Sequence, residues 1–168
     1  MKASTLRAKA RFEAALIRDG KVIERRVCVP SFWKRVWAFL RGELGLITTA
    51  GMTYLAAELA GGTGYVNLFK YHDCGTGTTA AAIGDTALQT PAGTARVSGT
   101  GSTPGSTNVF QSVATISFTS SLAITEWGLF SASSSGTLLD HRVFSAINVN
   151  SGDSIQFTYQ LTCTAGGS

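Results

Sequence analysis

The residues best suited to chemistry fall in two stretches. One, 72–80, sets His72, Asp73 and Cys74 ahead of a glycine-rich turn; the other, 123–130, places Glu126 and Gly128 inside an otherwise apolar run. Gly75-Thr76-Gly77-Thr78-Thr79-Ala80 has the spacing of a dinucleotide-binding fingerprint. That motif works where it opens a helix within a βαβ unit and an acid follows about 20 residues on. Here Gly84-Asp85 signals a turn soon afterwards and no acid stands at that distance, so a turn is expected and no cofactor.

His72 and Cys74 share a face if the segment is a strand, while Asp73 points the other way. Asp140 and His141 are further candidate ligands, yet no Cys-x-x-Cys pair completes a tetrahedral set, and no metal centre is expected. The two histidines leave room for a Ser–His–acid arrangement, but no nucleophile-elbow pattern accompanies them. Asp73, Asp85, Glu126, Asp140 and Asp153 could supply paired carboxylates, with nothing in the pattern to mark a cleft. The sequence therefore predicts no catalytic residues and no enzyme.

The elements that must position these residues are strands. Residues 108–119 alternate, with Phe110, Ser112, Ala114, Ile116 and Phe118 on one side. Segments 122–131, 138–149 and 154–162 follow, separated by the turn-rich Ser133–Gly136 and Asn150–Asp153. A strand is expected over 65–72 and a shorter one near 94–98, with 99–107 an exposed loop or hairpin tip. Short strands joined by tight turns predict a mainly β chain built as an antiparallel β-sandwich, jelly-roll or Ig-like.

The 168 residues divide by charge. Residues 1–45 carry eleven of the fourteen Lys and Arg against four acids, and the remainder three against six. This predicts a basic N-terminal arm, 1–45, on a body, 46–168, and favours assembly or polyanion contact. The arm reads as a β-hairpin turning at Asp19-Gly20, then a short amphipathic helix from Ser31 to Leu40 bearing Trp33 and Trp37. A second helix is expected within 44–62, capped by Thr48 or Thr49.

Glu13, Asp19, Glu24 and Glu43 dilute the arm's charge, so direct nucleic-acid contact is not expected. The apolar runs fall short of the roughly 20 residues that span a bilayer, and no membrane association is expected. Cys28, Cys74 and Cys163 are too few and too scattered for a disulfide framework, which favours synthesis in a reducing compartment. A charge-poor, Thr/Ser/Gly-rich surface favours burial against neighbours, and a homo-oligomer is expected.

Three segments, Ile47–Leu59, Phe69–Ala80 and Ala123–Ala132 with its continuation to Gln160, resemble a small structural protein recurrent in tailed-bacteriophage virions. The resemblance leaves out residues 1–45. It implies a β-sandwich of the virion surface, made in the host cytoplasm: a head decoration (cement) protein, or a tail, collar or fibre component. The partners would be the major capsid protein or other virion proteins. Arg25, Arg26, Trp33, Trp37, Glu126 and Trp127 are the expected assembly contacts.

Overall fold

A computed structural model describes residues 7–28, 46–51, 53, 69–105 and 108–164. Ten strands are assigned: β1 (Arg7–Arg18), β2 (Lys21–Cys28), β3 (Leu46–Ile47), β4 (Tyr71–Gly75), β5 (Val97–Ser98), β6 (Thr100–Ser102), β7 (Val109–Ser117), β8 (Leu122–Phe130), β9 (Leu138–Val149) and β10 (Ser154–Thr164). They form two five-stranded antiparallel sheets, ordered β2-β1-β10-β7-β6 and β3-β9-β8-β4-β5. The chain is thus mainly β, with two facing sheets consistent with a β-sandwich.

Alternation builds the core. Phe12, Ala14 and Leu16 of β1 stand opposite Tyr159, Phe157 and Ile155 of β10, and all six are buried. Trp127 of β8 crosses to meet them: its ring lies 4.7 Å from Phe12 and 5.7 Å from Tyr159. On β7 the buried members of the alternation are Ser112, Ala114 and Ile116, as the pattern predicts.

The hairpin turns at Asp19-Gly20, both with positive φ (51° and 71°), the conformation a two-residue hairpin loop needs. It does not belong to a separate arm. β1 lies between β2 and β10 over an eleven-residue register, so the N-terminal half of the expected arm is part of the first sheet. Phe12 and Leu16 explain why: two strands bury too little alone, and these side chains find their cover only in the sandwich. The helix expected over 31–40 lies outside the described residues.

Of the second helix, its beginning is described. Thr48 caps it, its Oγ1 accepting the Gly51 N–H at 3.0 Å while its hydroxyl donates to the Leu138 carbonyl. Gly51 is needed there, because a Cβ would come within 2.7 Å of the Leu139 backbone. Of the strand expected over 65–72, Phe69 and Lys70 form a turn and the strand runs from Tyr71 through Gly75; 65–68 lie outside the described residues. Within 99–107, expected as an exposed loop or hairpin tip, Thr100–Ser102 pairs with the next strand, β7, as an exposed edge strand.

Candidate functional site: a carboxylate that fastens the 76–91 loop

β8 is paired on both sides, by β4 and β9, and its seven residues from Ile124 to Phe130 are buried. A glutamate in such a strand must find partners or forfeit several kcal/mol of hydration. Glu126, 0% exposed, finds them in the loop that follows β4. Its Oε1 accepts the N–H groups of Gly77 (3.1 Å) and Thr90 (2.7 Å), and its Oε2 accepts that of Gln89 (2.9 Å). His141 Nε2, from the neighbouring β9, lies 3.1 Å from the same Oε2. The imidazole's other nitrogen is 2.6 Å from Asp85 Oδ2, and Asp85 also accepts the Ala82 N–H. One strand carboxylate, one histidine and one loop carboxylate thus make a chain from sheet to loop.

The glycine pattern now has a physical reason. A Cβ at Gly77 would stand 2.7 Å from Glu126 Oε1, and one at Gly75 would collide with that oxygen and with the Thr90 carbonyl. The two glycines admit an anion to the backbone, as in a phosphate-binding turn. The anion is the protein's own. Gln89 closes the loop further, pairing with both the N–H and the carbonyl of Thr79 (3.0 and 2.8 Å). Beneath the loop Leu88 packs with Phe130 and Leu138 as a small second core.

The remaining sequence-selected groups go to other networks. His72, wholly buried, accepts the Trp127 indole N–H at Nδ1 (3.2 Å) and lies 2.8 Å from Ser112 Oγ through Nε2. Indole is a donor only, so the neutral ring carries its proton on Nε2 and donates to Ser112. This joins the two sheets, and burial holds the imidazole pKa down to about 3. Cys74 sits in the core, its thiol pushed up to about 12 by burial, far from a reactive thiolate. Asp73 pairs with Arg96 at 3.2 Å; burial raises its pKa, opposed by that hydrogen bond. Arg96 also lies 3.4 Å above the Phe130 ring and donates to the carbonyls of Ala132 and Ser135, tying down the 131–136 turn. Asp140 and Arg142, two apart on β9, form a buried two-pronged pair at 2.5 and 2.8 Å.

His72 and Cys74, the expected facing pair, are therefore not a ligand pair, and Asp140 and His141 go separate ways. Among the described residues no group of three or more His, Cys, Asp or Glu is arranged to hold a metal ion. Glu126 and Trp127 are both 0% exposed, which corrects their expected role as assembly contacts: they have no surface to offer a neighbouring copy. Arg25 and Arg26 do lie on exposed β2, their side chains 59% and 43% exposed. Trp33 and Trp37 lie outside the described residues. Sequence reasoning missed the pairing of His141 with Asp85 and the roles of Ser112 and Arg96. A glutamate in a core strand, preceded by two glycines one residue apart, was the available signal for the first.

No described helix is long and apolar enough to cross a membrane. Comparison of the chain with family models, curated proteins and solved structures found no match.

Proposed function

We propose that the chain is a structural component of a bacteriophage virion, in first place a capsid decoration (cement) protein that stabilises the head by bridging subunits. One observation carries this reading: the Glu126 carboxylate is spent on three backbone N–H groups and His141. Such a group fastens, where a catalytic acid would face a substrate. The clamp also unites two of the segments that bear the virion resemblance, since Gly75 and Gly77 belong to one and Glu126 to another. The third begins at β3, and its Thr49 N–H donates to the Ile83 carbonyl of the clamped loop at 2.8 Å. Within this reading the sandwich is of jelly-roll or Ig-like type, assembles as a homo-oligomer and contacts the major capsid protein. Mass spectrometry of purified particles tests it: the chain is expected at a copy number comparable to the shell proteins, and its absence from particles overturns the reading.

A second reading, a tail, collar or fibre component that binds a host receptor, is favoured by a different observation. The outer face of the first sheet holds a mostly polar depression of about 370 Å³, lined by Arg11, Glu13, Gln111, Val113, Gln156, Thr158 and Gln160. Loss of host adsorption in a Gln111→Ala, Gln160→Ala double variant, with particles otherwise intact, would favour it over cement.

A further inference from the structure

β2 is the outermost described strand of its sheet, and of the four exposed large apolar residues among the described ones three lie on it: Val22 (51%), Ile23 (50%) and Val27 (41%). An edge of this kind is a template for another strand. Its charges, however, reject most partners. Glu24 and Arg26 pair within the strand at 2.6 Å, and a strand laid beside them fits best where it extends that pair with the same order of signs.

The strand answers it itself. Two copies related by a two-fold axis normal to the sheet place one residue opposite its own copy, which leaves few registers. An axis at Glu24 would set glutamate against glutamate and Ile23 against Arg25. An axis at Ile23 would fall on the bulge of β2, and one at Arg26 would oppose Arg25 to Val27. With the axis at Arg25, Glu24 faces Arg26 twice, and the regular pairing ends there because β2 bulges at Ile23. The two arginines at the axis are the one like-charge contact, and each is already held by its own Glu13 at 3.2 Å. The β1–β2 ladder is regular over Glu24–Cys28, with its bulge between the partners of Leu16 and Ile17, so the edge is straight where the charges must meet.

We infer that β2 pairs antiparallel with β2 of a second copy about a two-fold axis at Arg25, joining two five-stranded sheets into one of ten. This deepens the homo-oligomer of the proposed function by naming its interface. The pairing is tested on the purified full chain, so its failure leaves the virion reading to particle analysis, and the reverse.

Sedimentation should give twice the chain mass of 17.6 kDa. Val27→Lys, an exposed change, should return the mass to that of one chain. Arg26→Glu should do the same by facing acid with acid, and Glu24→Arg combined with Arg26→Glu should restore the pair. For register, Arg25→Cys in a Cys28→Ser, Cys163→Ser background should cross-link to itself on mild oxidation. Directly opposed Cα atoms, about 4.5–5.5 Å apart, are within disulfide reach. Glu24→Cys in the same background should not, because it faces Arg26. Circular dichroism confirms that each variant is folded. A monomeric parent chain, a dimer indifferent to Val27→Lys, or cross-linking of Glu24→Cys in place of Arg25→Cys overturns the inference.

Discussion

Trp127 donates its indole N–H to His72 Nδ1 at 3.2 Å, and this bond sets which nitrogen of a wholly buried imidazole faces the opposite sheet. The ring must stay neutral to remain there. With its pKa held at about 3 by burial, the folded chain takes up no proton at His72 where the unfolded chain does. Stability is then complete above about pH 6.5 and falls by about 1.4 kcal/mol per unit from there towards pH 3. Urea unfolding across that range, followed by Trp fluorescence, checks it. A His72→Gln variant should lose the slope while paying a constant cost.

Glu126→Ala should cost about 1–3 kcal/mol, the penalty of one buried donor left without a partner, since the Gly77 N–H is buried while those of Gln89 and Thr90 belong to exposed residues within reach of water. The effect should be local before it is global. Hydrogen exchange at Gly77, Gln89 and Thr90 should quicken far more than at the β1–β10 ladder. Equal acceleration throughout would argue against a clamp dedicated to the loop.

Gly77→Ala should destabilise by about 1–3 kcal/mol, because its methyl group would displace the carboxylate that holds the loop. Gly84→Ala, in the same loop, has nothing within 4 Å of the added carbon and should be within about 0.5 kcal/mol of the parent. Thermal melts of the two variants side by side make the comparison.

Arg18 grips Asp153 through two bonds of 2.7 and 2.5 Å, and Asp153 also accepts the Asn150 N–H. The Arg18 hydrogen bonds, then the backbone bond, draw the carboxyl pKa down to about 2. A depressed carboxylate stabilises the fold above its unfolded value of about 3.9, and that contribution is lost as pH falls from there through 2. Asp153→Asn should remove this acid sensitivity and leave the His72 slope at higher pH unchanged. An acid titration of both variants separates the two windows.

Much of the architecture was legible because side-chain period reports burial directly. Ile155, Phe157, Tyr159 and Leu161 alternate and are all buried, and Asp19-Gly20 announces its turn. The place of the hairpin was not legible. Its surplus of Lys and Arg suggested an arm, whereas Phe12 and Leu16 carry it into the core, and which strand they pair with is decided some 140 residues away. The candidate site was half legible. Glu126 stood out as a polar residue in a core strand, but three of its four partners are backbone N–H groups, which have no letter in a sequence. The glycines at 75 and 77 were the trace those N–H groups left.

The register of β1 against β10 has a consequence for the order in which the molecule forms. Phe12 meets Tyr159 only after nearly the whole described chain has left the ribosome. Until then the hairpin can close on itself but has nothing to lie between, and its apolar side waits uncovered. Non-local pairing of this kind is slow, because a long loop must close before any contact rewards it. The completion of the first sheet is therefore a late step in synthesis, and the waiting hairpin is where a crowded cell has most opportunity to mispair copies of this chain.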